Sequence, residues 1–214
     1  MSDFLNIVVL ISGHGSNLQA IIDASQKDLK VKIAAVISNQ KDAYGLKRAE
    51  QAKIPNHVVA NSEYSKRSDF EKDLAKWIDF YHPDLIVLAG FMRPLSNHFV
   101  TQYLGRMINI HPSLLPKFPG LNTHQRALEA KESLHGASIH FVTKDIDAGP
   151  IICQGIVLIS PEDNAQNLQE RVQKIEHQLY PQALSWFCEH RIKLMSNLKV
   201  EMDGKILSKP IKLK

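Results

Sequence analysis

Asn109 and His111 stand two residues apart where an apolar run, Met107 and Ile108, gives way to a loop containing Pro112, Pro116, Pro119 and Gly120. On an extended strand a spacing of two puts both side chains on one face. The prolines stiffen the loop that follows. An amide N–H donor beside an imidazole is a device for polarising a carbonyl and holding the negative charge that grows on its oxygen. Two acids, Asp145 and Asp147, lie in a turn-rich stretch further on, Thr143 to Pro150. Acids in such stretches usually close Asx turns. One of them beside His111 would instead favour the charged imidazole. Local sequence does not choose between the two.

A second reactive element lies near the start. Asn6 to Ser12 is almost wholly apolar, as in a parallel strand buried on both faces. Gly13-His14-Gly15-Ser16-Asn17 follows, and Leu18, Ala20, Ile21 and Ile22 then take helical spacing, with Ser16 or Asn17 as the expected N-cap. Strand, glycine loop and helix start together expose unpaired N–H groups that suit an anion. The loop lacks the Gly-Lys-Ser/Thr of a nucleoside-triphosphate loop. It also has Leu18 in place of a third glycine, and no acid ends the second strand. A single phosphate, as on a sugar phosphate, fits best.

The elements that must position these groups alternate. Strands are expected at 31–38, 56–59, 85–89 and 107–111, and helices at 44–52, 65–81 and 96–103. This pattern predicts an α/β fold with a doubly wound, mostly parallel central sheet, in which ligands gather at the carboxyl ends of the strands. The glycine loop, the Phe91–Leu95 loop and the 109–120 loop are all expected at that edge, with Arg67 and Arg93 near it. After a short helix from His124 to Ala130, capped by Thr123, 135–142 and 151–158 read as a hairpin. A long helix follows from Asn164 to about His190, with Leu168, Val172, Ile175, Leu179 and Leu184 inward and Pro181 inside it. Gln173 and Glu176 lie three apart on that helix and can share a ligand or form a surface pair. A C-terminal antiparallel hairpin turns on Asp203-Gly204.

The chain has 214 residues, 44% hydrophobic and 22% charged, with net charge +4 and pI near 9.0. That suits a single domain over 1–214, with a phosphate-binding half (1–108), a catalytic half (109–195) and a C-terminal stretch (196–214). Part of the positive charge lies in Lys205, Lys209, Lys212 and Lys214, so it is no nucleic-acid signature. Cys153 and Cys188 read as buried reduced thiols of a cytoplasmic protein. No signal peptide or membrane span is expected. His111, His124, His135 and His140 lack the spacing of a metal motif, and His135 and His140 fall on opposite faces of one strand, so no metal is expected.

These motifs together resemble the phosphoribosylglycinamide formyltransferases, folate-dependent enzymes of purine synthesis. The matching stretches are IVVLISGHGSNLQAII (7–22), LAGFMRPLS (88–96), NIHPSLLPKFPGLNTHQRAL (109–128), HGASIHFVTKDIDAGPIICQ (135–154) and RVQKIEH (171–177). The resemblance implies a Rossmann-like formyltransferase fold, with 10-formyltetrahydrofolate as co-substrate and small molecules as the only partners, in a monomer or homodimer. It implies Asn109, His111 and Asp147 as the catalytic trio, so the family pattern favours Asp147 over Asp145. Gly15, Ser16 and Asn17 would take the ribonucleotide phosphate, and Gln173, Lys174, Ile175 and Glu176 its ribose and glycinamide end. Arg67, Met92, Arg93, Pro94, Leu95, Asn109, Thr143, Lys144, Asp145, Ile146 and Asp147 would line the folate cleft. His14 and Ala148 are small departures from the family pattern. Three related readings differ in what surrounds the core. A methionyl-tRNA formyltransferase would carry an added tRNA domain, and a formyltetrahydrofolate hydrolase a regulatory domain before the core. A non-catalytic sugar-phosphate sensor would not need the trio.

Overall fold

The computed structural model describes residues 4–213, which divide into two compact units, Met1–Ile108 and Asn109–Lys214. The first unit begins with β1 (Leu5–Ile11), whose residues from Ile7 onward are fully buried. It leads into α1 (Ser16–Ser25), β2 (Val31–Ser38), α2 (Tyr44–Gln51) and β3 (Asn56–Val58). Then come α3 (Arg67–Phe80), β4 (Leu85–Leu88) and α4 (Asn97–Gln102). The strand order is β3-β2-β1-β4, and β1 runs parallel to both β2 and β4. Continuous apolar strands such as LIVL suit this arrangement, because helices cover both faces of a parallel sheet. α3 turns Phe70, Leu74 and Ile78 inward at helical spacing.

β5 (Met107–His111) carries the chain into the second unit. There follow α5 (Thr123–Glu129), β6 (Leu134–Phe141), β7 (Ile151–Leu158) and α6 (Ala165–Cys188). Four short strands close the chain: β8 (Ile192–Leu194), β9 (Val200–Met202), β10 (Lys205–Ile206) and β11 (Ile211–Leu213). The order is β5-β6-β7-β11, with β6 and β7 antiparallel and β11 parallel to β7. α6 packs on β6 and β7. Asn164 begins it with a capping box shared with Asn167, and Pro181 lies inside it, as expected. The architecture is thus α/β with a mostly parallel sheet and a small antiparallel sheet near the C-terminus.

Four expectations need correction. Gly15, not Ser16 or Asn17, precedes α1, in the left-handed region at φ 72°, and no side chain caps that helix. A Cβ on Gly15 would stand 2.7 Å from Gly45 Cα, so both the conformation and the close approach require glycine. Thr123 likewise is the first residue of α5, after a left-handed Asn122. The C-terminal stretch is more than the expected hairpin on Asp203 and Gly204, since β8 joins it and β11 adds an edge to β7. Lys214 lies outside the described residues. Finally, Cys153 is buried, but Cys188 at the end of α6 is only partly so, and neither is in a disulfide.

Candidate active site

In the first unit the two expected loops emerge side by side from the carboxyl ends of β1 and β4. The Ser12 N–H donates to Gly90 O at 3.1 Å, and the Met92 N–H donates to Ser12 Oγ at 2.7 Å. Ser12 Oγ in turn donates to Asn39 Oδ1 at 2.6 Å, beyond the end of β2. The glycine loop is held from its far side by α2. Gly45 N–H donates to Gly13 O at 3.0 Å, and Arg48 Nε donates to His14 O at 2.9 Å. Ser16 is partly exposed and Asn17 buried.

Arg67 opens α3. Its Nε lies 3.1 Å from Glu71 Oε1, and its Nη2 donates to Pro94 O. Of the loop it touches, Met92 is largely exposed while Phe91 is buried. Arg93 lies over the Phe70 ring at 5.9 Å.

The second unit brings the predicted catalytic residues together. Asp147 Oδ2 lies 3.3 Å from His111 Nδ1 and accepts the Gly120 N–H at 2.9 Å. On the other ring nitrogen, His111 Nε2 meets Phe118 O at 2.8 Å. A carbonyl can only accept, so Nε2 carries a proton. The Asp147 carboxylate faces the other ring nitrogen, Nδ1. Asp147 takes a left-handed conformation, φ 52°. Asp145 contributes its backbone carbonyl to the turn, accepting from Ala148 N–H at 3.4 Å. The choice that local spacing left open thus has a geometric basis.

One member of this cluster was not foreseen. His140, on β6, sets its Nε2 3.2 Å from Asn109 Nδ2 and 3.7 Å from Asp147 Oδ1. Its Nδ1 lies 2.9 Å from Phe141 O, so Nδ1 bears the proton and Nε2 is the acceptor for the Asn109 amide. Burial lowers the His140 pKa, which keeps the ring in that neutral form. The sequence placed His140 on the hairpin but offered nothing to pair it with Asn109. Its strand partner becomes known only when β6 lies beside β5.

His135 and His124 form a separate pair, Nε2 to Nδ1 at 3.1 Å, with the Phe118 ring edge-on to His135. His135 and His140 thus have different partners, in keeping with the two faces expected of them. Burial lowers the pKa of both members, and His135 is pushed down to about 4. Among the described residues no three His, Cys, Asp or Glu side chains form a metal-holding group.

On α6, Glu176 is buried, which overturns the reading of Gln173 and Glu176 as a surface pair. Gln173 and Ile175 are half-buried and Lys174 is exposed. Glu176 lies close enough to Tyr180 to add to the rise that burial causes in that phenol's pKa. In the 143–147 segment, Lys144, Asp145 and Ile146 are solvent-facing or partly so, with Ile146 68% exposed.

The formyl transferase family profile matches residues 5–184. The phosphoribosylglycinamide formyltransferase of Escherichia coli K12 is 51% identical over 204 residues, which are 95% of this chain and 96% of that one. The human trifunctional purine biosynthetic protein adenosine-3 is 42% identical over 195 residues, 91% of this chain but 19% of that larger protein. Among solved structures, the phosphoribosylglycinamide formyltransferase of Coxiella burnetii in complex with CHES superposes with a TM-score of 0.95 at 57% identity, covering 99% of this chain and 100% of that one. No helix among the described residues is long and apolar enough to cross a membrane.

Proposed function

The chain belongs to the formyl transferase family, and from that premise we propose that it carries a formyl group from 10-formyltetrahydrofolate to the amine of N1-(5-phospho-D-ribosyl)glycinamide, a step of de novo purine (IMP) synthesis. The observation that carries this reading is the cluster of Asn109, His111 and Asp147, in which His111 is buried and the carboxylate lies 3.3 Å from the imidazole. The names of the Escherichia coli and Coxiella burnetii relatives support the choice of substrates.

The amine nitrogen attacks the formyl carbon and its electron pair forms the new C–N bond. The carbonyl electrons move onto oxygen, where Asn109 N–H and the His111 imidazolium donate to the oxyanion. In the resting site Nε2 faces the Phe118 carbonyl and Nδ1 faces Asp147, and the formyl oxygen displaces one of these contacts to receive a His111 N–H. Asp147 holds His111 charged and, directly or through water, takes the proton that the amine loses. Collapse of the tetrahedral adduct breaks the bond to folate N10, which receives from Asp147 or its water the proton that the amine lost and leaves as tetrahydrofolate.

Gly15, Ser16 and Asn17 bind the ribonucleotide phosphate through loop N–H groups, and Gln173, Lys174, Ile175 and Glu176 meet its ribose and glycinamide end. Arg67, Met92, Arg93, Pro94, Leu95 and Thr143 to Asp147 line the folate cleft. The two compact units act as one catalytic domain, a reading supported by a family match that runs across residue 108. The enzyme works in the cytoplasm on small molecules, as a monomer or homodimer, with no metal in the reaction.

The test mixes the protein with 10-formyltetrahydrofolate, with and without the ribonucleotide, and follows folate release by absorbance and the product by mass. Ribonucleotide-dependent release with a formylated product is the expected result. Release without the ribonucleotide would reassign the chain as a hydrolase. Binding of the ribonucleotide with no release at all would make it a sensor.

A further inference from the structure

Glu71 is an acid on α3 that the proposed reaction does not use, yet it is only 6% exposed. Its carboxylate accepts three donors. Oε1 takes the Ser96 N–H at 2.6 Å and lies 3.1 Å from Arg67 Nε, and Oε2 takes the Ser96 hydroxyl. Arg67 spans the same loop from its other side by donating to Pro94 O. Ser96 Oγ also accepts the Phe99 N–H at 3.3 Å and so begins α4. At the near end of the loop, Met92 N–H is held by Ser12 Oγ at 2.7 Å. The Met92–Leu95 segment is therefore tied at both ends, and one buried carboxylate makes the distal tie.

A carboxylate is put out of water at a cost unless every lone pair finds a donor. Here the donors come from the two elements that the folate reading assigns to one cleft, the Arg67 guanidinium and the 92–95 loop. We infer that Glu71 is a positioning residue of the folate cleft, which sets Arg67 and the Met92–Leu95 loop in place for the pterin-bearing substrate without touching it. This rests on the folate reading proposed above. The carboxylate fixes the guanidinium through Nε and Pro94 O holds Nη2, while the side chain stays half open to solvent. Ser96 then becomes a coupled part of the cleft, since its backbone and its hydroxyl both answer to Glu71.

The role predicts which kinetic constant moves. Loss of Glu71 frees the loop and Arg67 but leaves the glycine loop and the trio as they are. The Michaelis constant for 10-formyltetrahydrofolate should therefore rise while that for the ribonucleotide does not. A carboxylate needed only for general stability would move both or neither.

The experiment compares the full chain with its Glu71→Ala, Glu71→Gln and Ser96→Ala variants. It reads steady-state kinetics against each substrate in turn, and calorimetric binding of 5-formyltetrahydrofolate without ribonucleotide. Glu71→Ala should raise the folate KM by about tenfold or more, with the ribonucleotide KM within about twofold. Binding of 5-formyltetrahydrofolate should weaken by the same factor. Glu71→Gln keeps one acceptor oxygen, and Ser96→Ala keeps the backbone donor, so each should weaken folate in the same direction but less. If Glu71→Ala does not fold, these two carry the test. Folded variants with unchanged folate KM, or with equal rises for both substrates, would overturn the inference. A wild-type chain that neither transfers formyl nor binds 5-formyltetrahydrofolate would bring down the folate reading itself, before any variant is compared.

Discussion

The side-chain amide of Asn109 is held by His140, which receives its N–H at 3.2 Å through a ring fixed from behind by the Phe141 carbonyl at 2.9 Å. An amide can rotate about its last bond, and an oxyanion donor acts only if it is already aimed when the charge appears. His140 supplies that aim from β6, one strand away from Asn109 on β5.

This pairing leads to a first prediction. Asn109→Ala and His111→Ala should each lose about 10²-fold or more in turnover, the usual consequence of removing one oxyanion donor. His140→Ala should lose less, because water can take its place at the amide. Once Asn109 is gone, His140→Ala should cost almost nothing further, since its effect runs through Asn109. A double-mutant cycle on kcat/KM measures this directly. Additive losses would mean that His140 acts independently.

Asp147 and Asp145 give a sharper contrast, because they lie two residues apart in one loop. Asp147 has a carboxylate oxygen 3.3 Å from His111 Nδ1, while Asp145 serves the turn through its backbone carbonyl. Asp147→Asn keeps the shape but removes the charge that favours the imidazolium. It should lower turnover by about 10²–10⁴-fold, as for loss of a general acid or base. Asp145→Asn alters only the lining of the folate cleft, so it should raise the folate KM while the rate at saturating substrates stays within about threefold. Single-turnover rates at saturating substrates would separate the two. Equal losses would show that the loop's net charge matters rather than its geometry.

What the sequence made legible follows from how locally each feature is encoded. The strands 7–11, 31–38 and 85–88 are apolar runs, and the helix spacing of Phe70, Leu74 and Ile78 needs no neighbour to be recognised. Asn109 and His111 also share one strand, so their spacing was enough. Asp147 was different. Its left-handed backbone is a property of the folded loop, and only the family pattern singled it out. His140 and Glu71 were missed for a related reason. Their partners, Asn109 at 31 residues and Ser96 at 25, are remote in sequence. Glu71 also follows Phe70 directly, where an acid beside an apolar stripe reads as the start of the solvent face. β11 escaped because three residues, Ile211–Leu213, in a lysine-rich stretch become a strand only by adding to the edge of β7.

The buried histidine pair makes the fold itself sensitive to acid. His135 is 1% exposed, and its Nδ1 has no hydrogen-bond partner. Burial first, then the nearby His124 and His111, push its pKa down to about 4, whereas an unfolded histidine titrates near 6.5. Above that unfolded value His135 is neutral in both states and contributes no pH dependence. As pH falls below about 6.5 the unfolded chain takes up a proton that the folded chain refuses, so stability falls. The loss continues until pH reaches about 4, where the folded ring titrates as well. Linkage gives about 2 kcal/mol of this loss between pH 7 and pH 5 from His135 alone. His124 and His140, whose pKa values burial also lowers, add to it in the same direction. Urea unfolding at the two pH values should show the loss, and His135→Gln should flatten it by most of that amount. An unchanged midpoint at pH 5 in the wild-type chain would mean that the pair accepts a proton while folded, with the His124–His135 contact opening to admit it.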